Sequence, residues 1–428
     1  MFRRTIAQNR RTTLMISTEN QAFVLDLTRL ISRVGTGVFT GVDRVELAYF
    51  RYILNTPKPC FFLIKTGKGY LLLDRHGGLN ILPKILGEQS WGTPDIMSVI
   101  SRALHPFRRR AEADLRRLAI DRALPPNLGN IFRRQKLENF TYLNTGHSNL
   151  IPRTLNAVKR QKGTKTAVFI HDTIPLDHHE YQTTQSTLRF EKLMQSVQEF
   201  ADLIIYNSKQ SFDDGTRYFG EGRQPKGIVA HLGVEAMPIQ PNLLPKGLDY
   251  SRPYFLIVGT IEPRKNHQLL LDIWLDLANT FKPSEIPNLI IAGSRGWKNE
   301  IFFRCLDDSQ LLGNSIFEFQ GLPDGAIGAL TKNACAALFP SFAEGYGLPP
   351  AEAALLETPV ICSDLAVHRE ILGDYPVYLG PDDAYSWKKE IIQRTVDFRG
   401  GQNVKKRAQK TAVLSSWEDH FEKVFHEQ

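Results

Sequence analysis

The stretch Tyr254-Phe255-Leu256-Ile257-Val258-Gly259-Thr260-Ile261-Glu262-Pro263-Arg264-Lys265-Asn266 is an apolar run that ends at a glycine and continues as a polar loop. A helical pattern begins directly after the loop, at residue 268. Short apolar runs and helical patterns then alternate as far as residue 379, which is typical of repeated βα units. The sequence therefore predicts a doubly wound parallel sheet in this half of the chain.

The first half of the chain has a similar but more interrupted pattern. Its apolar runs lie at 22–25, 60–64, 142–143, 167–170, 203–206 and 228–230. Because 428 residues exceed the size at which a single core keeps growing, two α/β domains are expected. The predicted units are a Rossmann-like domain at 1–235 with a basic insertion near 102–137, a Pro-containing linker at 236–252, a second Rossmann-like domain at 253–400, and a helix in 401–428 that packs back on the first domain.

The composition, with 42% apolar and 23% charged residues, is that of an ordinary globular protein. Four cysteines are scattered without a Cys-x-x-Cys pair, which argues against a zinc site or a disulfide framework. The Arg-rich first residues lack the apolar stretch of a signal peptide, and no segment reaches the length of a membrane span. We therefore expect a cytoplasmic protein.

The net charge of +8 is concentrated between Arg102 and Lys136, where arginines alternate with apolar side chains. Three interpretations of this stretch stay open: a solvated helix face, contact with an anionic membrane surface, and nucleic-acid binding. No aromatic platform lies among the arginines, which argues against nucleic acid as a partner.

Ligands of parallel α/β sheets bind beyond the carboxyl ends of the strands, so the loop that contains Arg264 and Lys265 is a candidate site. Arg264 offers a planar fork of donors and Lys265 a point charge, a combination that suits a diphosphate. The alternative is a solvated helix start with surface charges.

A second candidate is the stretch 342–352, which contains Glu344-Gly345-Tyr346-Gly347-Leu348-Pro349-Pro350-Ala351-Glu352. The glycines would let a ligand approach the backbone, and the prolines would start a helix whose free amides favour an anion. Glu344 and Glu352 could both accept hydrogen bonds from sugar hydroxyls. For Glu352 the helix macrodipole offers a purely structural alternative.

Glu344 and Glu352, separated by seven residues in this setting, resemble the signature of glycosyltransferase family 4, and the stretch 258–266 resembles the donor diphosphate loop of that family. The resemblance implies a GT-B fold, in which two Rossmann-like domains face each other across a cleft, and a retaining reaction that needs no metal and no cofactor. It implies that Arg264 and Lys265 bind the diphosphate, Glu352 the ribose, and Glu344 the donor sugar as a candidate catalytic residue. The other donor-binding residues that it implies are Thr260, Gly321, Leu322, Gly345, Tyr346, Gly347 and Leu348.

In the first domain, His171 and Asp172 follow a predicted strand and resemble the His-Asp segment of the family. They are candidate catalytic residues, since an imidazole there could orient the donor sugar; the alternative is a capping Asp beside a partly buried His. The neighbouring histidines lack a tight ligand spacing, so no metal site is predicted. A Gly-rich loop upstream supplies candidate acceptor or phosphate contacts at Gly37, Gly41, Asp43 and Arg44. Asp43 stands where the family often has another glycine.

The sequence thus predicts a retaining hexosyltransferase that uses a nucleotide diphosphate sugar, with mannose as the first candidate sugar. The expected acceptor is a glycan or lipid-linked glycan in polysaccharide or lipopolysaccharide assembly, reached from the inner face of the plasma membrane as a peripheral protein. The alternatives are a sugar-nucleotide epimerase or phosphorylase on the same fold, and a non-catalytic sugar-nucleotide-binding protein. A dehydrogenase is disfavoured because no Gly-x-Gly-x-x-Gly opens either domain.

Overall fold

A computed structural model describes residues 22–100, 104–401 and 412–425 of the chain. Its strands are β1 Ala22–Asp26, β2 Cys60–Thr66, β3 Gly69–Leu73, β4 Asp121–Ala123, β5 Phe140–Asn144, β6 Lys165–Ile170, β7 Leu203–Tyr206, β8 Lys226–Val229, β9 Tyr254–Val258, β10 Asn288–Ala292, β11 Ile316–Phe319, β12 Ala336–Phe339, β13 Val360–Ser363 and β14 Val377–Leu379. Its helices are α1 Thr28–Ser32, α2 Gly41–Asn55, α3 Arg75–Ile85, α4 Ile96–Ile100, α5 Pro106–Leu118, α6 Leu128–Arg134, α7 Pro152–Lys159, α8 Ile174–Asp177, α9 Thr184–Phe200, α10 Lys209–Thr216, α11 His267–Thr280, α12 Glu300–Asp307, α13 Asp324–Asn333, α14 Leu348–Leu355, α15 Ala366–Leu372, α16 Ala384–Arg399 and α17 Trp417–Phe425.

The strands form two sheets, one in each half of the chain. The first has the order β4-β3-β2-β1-β5-β6-β7-β8, and the second has the order β11-β10-β9-β12-β13-β14. In both sheets the order changes direction around the strand that opens the domain, so the loops after neighbouring strands diverge and leave room for a ligand. The predicted fold class, two doubly wound α/β domains, is confirmed.

The first sheet differs from the prediction of a purely parallel sheet at one edge. β3 and β4 were not predicted; β3 pairs antiparallel with β2, and β4 pairs antiparallel with β3. The tight turn at Gly67 and Lys68 returns the chain directly from β2 into β3, and such a hairpin can only be antiparallel. β4 is short and polar, so its sequence carries no alternating apolar pattern.

The second sheet is parallel throughout and is buried by helices on both faces. One core cluster extends from the first domain to α14 and α15 of the second, so the two domains share apolar contacts. These contacts hold the loops after β6 and β7 against the loop after β12, where the candidate site lies.

The basic stretch at 102–137 is built into the first domain as α5, β4 and α6; Arg102 itself lies outside the described residues. Several of its arginines form ion pairs with nearby acids. Arg116 contacts Asp95 at 2.6 Å, and Arg117 contacts Asp114 at 2.7 Å. Much of the positive charge is therefore neutralised within the domain.

The last helix, α17, packs on α2 of the first domain. The ring of Phe421 stacks on Tyr52 at a centroid distance of 4.1 Å, and His420 Nε2 lies 2.8 Å from the Tyr49 hydroxyl. Both Phe421 and His420 are buried. The end of the chain thus crosses back from the second domain to the first.

Candidate functional site

The loop after β9 and the loop after β12 bring two cations together with an acid. Arg264 Nη1 donates to Glu344 Oε2 at 2.9 Å, and Lys265 Nζ donates to Glu344 Oε1 at 2.5 Å. Arg264 Nη2 also lies 2.6 Å from Glu262 Oε1, and the Ser341 hydroxyl donates to Glu344 Oε1 at 2.7 Å. Two regions that are about 80 positions apart in sequence therefore form one buried charge cluster.

The strand order explains why these loops meet, because β9 and β12 are neighbours in the sheet. Asn266 has a left-handed backbone with φ of 55°, which turns the chain from the loop into α11. Its side-chain amide donates to the carbonyls of Pro340 at 3.1 Å and Pro381 at 2.9 Å. Asn266 thereby fixes the loop that carries the two cations.

Each charge in the cluster is balanced by an internal partner. Burial raises the pKa of Glu344, but Lys265 and Arg264 outweigh burial and hold that pKa well below its ordinary value. Burial lowers the pKa of Lys265, and Glu344 opposes this effect. A phosphate group that binds the two cations therefore has to compete with Glu344 for them.

The two domains touch at Gly345, which packs against the segment after β6. A Cβ atom on Gly345 would lie 2.9 Å from the Asp172 side chain and 2.9 Å from the His171 carbonyl oxygen. Asp172 Oδ1 accepts from the Ile174 amide at 3.1 Å. This side chain therefore also caps the turn after β6, which is the structural role that the sequence analysis gave as the alternative to a catalytic one. The approach brings the candidate residues of both domains together.

His171 is buried, and its Nε2 lies 2.7 Å from the Thr145 carbonyl oxygen. A carbonyl can only accept, so Nε2 carries the proton of the ring. Burial, together with the nearby His147, lowers the pKa of His171 well below its ordinary value, and the neutral ring keeps a lone pair on Nδ1. The His147 ring lies 5.1 Å from the His171 ring. Sequence reasoning missed His147, although its place in the turn directly after β5 was a signal for it.

Glu352 lies in α14, and its partner comes from the opposite domain. Arg44 Nη1 donates to Glu352 Oε1 at 2.8 Å, and Arg44 Nη2 donates to Asp324 Oδ1 at 2.9 Å. Burial raises the pKa of Glu352 to about 7, Arg44 lowers it, and Asp324 raises it further. Sequence reasoning missed Asp324, which follows the loop that contains Gly321.

The Gly-rich loop of the first domain ends in a capping box at the start of α2. The Thr40 side chain accepts from the Asp43 amide, and Asp43 Oδ2 accepts from the Thr40 amide at 2.8 Å. Asp43 also pairs with Arg29 and Arg33, at 2.9 and 3.0 Å, and is fully buried. Its carboxylate thus caps α2 and neutralises two arginines of its own domain, and the predicted contact with a phosphate or acceptor stays a prediction. Gly37 is exposed in the same loop.

Three further predicted donor-binding residues lie around the start of α14. The Tyr346 hydroxyl donates to the Leu232 carbonyl at 2.9 Å and is buried, so it joins the domains rather than facing open space. Gly347 has a φ of 87° and precedes α14, and Leu348 would touch a Cβ on Gly41 of the opposite domain at 3.4 Å. The start of α14 offers fewer free amides to an anion than we predicted, because Pro349 and Pro350 have no amide hydrogen.

The other predicted donor-binding residues, Thr260, Gly321 and Leu322, lie in loops at the same end of the second sheet. Thr260 follows β9 and packs against Gly296, whose Cβ would lie 2.9 Å from Thr260 Cγ2. Gly321 has a φ of 68°, which favours glycine there, and Leu322 packs on the core beneath β9. All three therefore lie in loops at the carboxyl-terminal edge of the second sheet, after β9 and β11.

A pocket of 210 Å³ opens between the domains next to the charge cluster. The first domain contributes Asp172 and Ser211 to its wall, and the second contributes Phe342 and Glu344. Among the residues that the structure describes, no group of His, Cys, Asp or Glu side chains is arranged to hold a metal ion. None of the helices in those residues has the length and apolar character needed to cross a bilayer.

The chain resembles known proteins in both sequence and fold. Residues 244–410 match the profile of the family described as glycosyl transferases group 1. The chain is 29% identical over 234 residues to the serotype-specific mannosyltransferase WbdA of Escherichia coli, a match that covers 51% of this chain and 28% of that protein. It is 31% identical over 167 residues to the O-antigen chain mannosyltransferase B of Escherichia coli, a match that covers 39% of this chain and 43% of that protein.

The matches thus span less than half the length of either relative. Among solved structures, Anabaena Alr3699/HepE in complex with UDP and glucose has a TM-score of 0.58 at 15% identity, and the alignment covers 92% of this chain and 95% of that one. At this identity the likeness concerns the fold alone, and it shows that both domains together adopt the GT-B arrangement.

Proposed function

We propose that this GT-B protein transfers a hexose from a nucleotide diphosphate sugar to a glycan or lipid-linked glycan, because residues 244–410 match the profile of the group 1 glycosyl transferases. The proposed setting is polysaccharide biosynthesis, in line with the mannosyltransferases among its relatives. Mannose is accordingly the first donor sugar to test. Glucose is the second, because the structural neighbour HepE was crystallised with UDP and glucose.

The proposal rests on one observation: Arg264, Lys265 and Glu344 lie together at the contact between the two domains, close to Asp172. Two buried cations on a strand-to-helix loop supply fixed positive charge for a leaving diphosphate. Glu344 already orders the two cations, and an arriving diphosphate competes with it for them. Such preorganised charge is the main source of rate acceleration when a nucleotide diphosphate departs.

We propose that the anomeric configuration is retained. The bond from the sugar to the diphosphate breaks as the acceptor hydroxyl attacks from the same face, and the leaving phosphate oxygen accepts the hydroxyl proton. Glu344 is a poor nucleophile for an alternative covalent route, because Arg264, Lys265 and Ser341 all donate to its carboxylate. Its proposed role is to hold the donor sugar.

Two further side chains complete the proposed donor site. The free lone pair of His171 Nδ1 would accept from a sugar hydroxyl and orient the reacting centre. Glu352 would accept from the ribose hydroxyls, in competition with Arg44. With two cations in place for the diphosphate, we propose that the reaction needs no divalent metal and no cofactor.

We also propose that the first domain contacts an anionic membrane surface when the acceptor is lipid-linked. The α4–α5 surface, defined by Ile96, Phe107 and Arg110, exposes 82% of Ile96 and 52% of Phe107. A Cβ on Gly35, in the Gly-rich loop, would lie 2.7 Å from Phe107 Cβ. This surface therefore adjoins the loop that leads into the cleft. Apolar side chains beside cations are typical of interfacial binding.

The test is a screen of radiolabelled sugar nucleotides, beginning with GDP-mannose and UDP-glucose, with and without a lipid-linked glycan acceptor and with EDTA or Mg²⁺ in parallel. We expect donor consumption only when acceptor is present, at the same rate with EDTA. Consumption without acceptor would instead indicate an epimerase, and a need for inorganic phosphate would indicate a phosphorylase. Binding of a sugar nucleotide without any turnover would indicate a non-catalytic binding protein.

A further inference from the structure

The start of α10, in the first domain, is in contact with two segments of the second domain. The hydroxyls of Ser208 and Ser211 lie 3.3 and 3.2 Å from the Gly345 carbonyl oxygen. Glu370, from α15, accepts from the Lys209 amide at 2.6 Å and from the Gln210 amide at 3.3 Å. A carboxylate of one domain therefore caps a helix of the other.

The same helix start also holds the His171 segment of its own domain. The Asn207 side-chain amide donates to the His171 carbonyl oxygen at 2.8 Å, and the Ser211 hydroxyl lies 3.2 Å from that oxygen. Asn207, Ser208 and Ser211 are all buried, with at most 3% of each exposed. The start of α10 thus contacts the backbone carbonyls of both His171 and Gly345, which belong to opposite domains.

The hydrogen bonds between the start of α10 and the second domain can form and break with little loss of free energy, because each group has another partner available. Each serine hydroxyl has one proton, so Ser211 can donate to the His171 or the Gly345 carbonyl, but not to both at once. When Gly345 moves away, the Ser211 proton can turn to the carbonyl of its own domain. The helix amides that Glu370 releases lie at a helix start, where water can replace the carboxylate. The contact therefore suits repeated closure of the two domains.

We propose that Ser208, Ser211 and Glu370 are positioning residues that set the closed distance between the His171–Asp172 segment and the Glu344–Gly345 segment. This inference rests on the proposed transferase function, since those segments carry the candidate sugar contacts. Glu370 acts from the second domain and the serines from the first, so removal of either side should release the same contact. None of the three contacts Arg264 or Lys265 in the structure, so the grip on a diphosphate should be unaffected.

The experiment compares Glu370→Gln and the double variant Ser208→Ala/Ser211→Ala with the wild-type protein. Asp213→Asn, an exposed change on the same helix, is the matched control. Small-angle scattering measures the radius of gyration, calorimetry measures the Kd of GDP and UDP, and thermal unfolding confirms that each variant folds. With the active donor and acceptor, kcat and KM are then measured.

We expect both variants to show a larger radius of gyration and a kcat lowered about 10- to 100-fold, because small misplacements of reacting groups have effects of this size. Nucleotide Kd should change less than about twofold, as the diphosphate contacts are intact. Unchanged scattering, an unchanged kcat, or a Kd that rises in step with the loss of kcat would overturn the inference. The scattering measurement needs no turnover, so it decides the closure role even if the proposed transferase activity fails.

Discussion

Arg44, in the first domain, donates to Glu352, in the second domain, at 2.8 Å across the interdomain cleft. The same guanidinium contacts Asp324 at 2.9 Å, so one cation of the first domain is shared by two acids of the second. The proposed ribose site is therefore occupied by a protein side chain before any nucleotide arrives. A nucleotide that binds there has to displace Arg44 from Glu352 or share the carboxylate with it.

The first prediction concerns the pH dependence of stability that Glu352 causes. Burial raises its pKa to about 7, against an ordinary value of 4.5, so between these values the folded state binds more protons than the unfolded state. The contribution of protonated Glu352 to the free energy of unfolding is complete below pH 4.5 and is lost as the pH rises to about 7. We expect Glu352→Gln to be less sensitive to pH than wild type between pH 5 and 8 in urea unfolding. Glu422→Gln, an exposed change, should behave as wild type does, and equal slopes for all three proteins would contradict the account.

The second prediction separates Glu344 from the cations that it neutralises. Glu344→Gln leaves Lys265 without its acid and Arg264 with Glu262 alone, which should lower the free energy of unfolding by about 3 to 5 kcal/mol. The freed cations should bind GDP or UDP at least as tightly as wild type does, whereas Lys265→Ala should bind them more weakly. Calorimetry and urea unfolding measure both effects. Equal weakening of nucleotide binding in the two variants would show that Glu344 does not compete with phosphate.

The third prediction tests the contact between the domains at Gly345. A methyl group there would lie 2.9 Å from both the Asp172 side chain and the His171 carbonyl, so Gly345→Ala should push the segments apart. We expect turnover to fall about tenfold or more, with little change in nucleotide affinity. Gly220→Ala is the control, because no atom lies within 4 Å of the methyl group that this change would add. Full activity in Gly345→Ala would mean that the approach is not needed for transfer.

The fourth prediction concerns the α4–α5 surface. Replacing Phe107 with Ser should reduce sedimentation with anionic liposomes about tenfold, in proportion to the apolar area withdrawn from the bilayer. Ile301→Ser removes a side chain that is 77% exposed on the second domain and should have no effect. If the wild-type protein fails to sediment with anionic liposomes at low salt, the membrane proposal is wrong.

Much of the fold could be predicted because its signals are local. The strands of the second sheet are short apolar runs closed by glycine or polar residues, so their positions follow from the sequence alone. β4 could not be predicted, since Asp121–Ala123 has no apolar pattern and is held by its pairing with β3 and by the ion pair of Asp121 with Arg134 in α6. Such pairing depends on the rest of the domain.

Some residues of the candidate site could likewise be predicted from local sequence signals, and others could not. Arg264 and Glu344 could be placed near the cleft because each follows a predicted strand. The contact between Arg44 and Asp324 joins residues that are 280 positions apart, and no local pattern predicts it. Asp43 is different, because Thr40-Gly41-Val42-Asp43 is a capping-box sequence whose structural role was open to prediction.

The proposed donor site is tested most directly by a crystal structure of the protein with GDP or UDP bound. We expect both phosphates to lie within hydrogen-bond distance of Arg264 and Lys265, with the ribose at Glu352 and the cleft closed on Asp172. A nucleotide bound elsewhere, with Arg264 and Lys265 still paired only to Glu344, would contradict it.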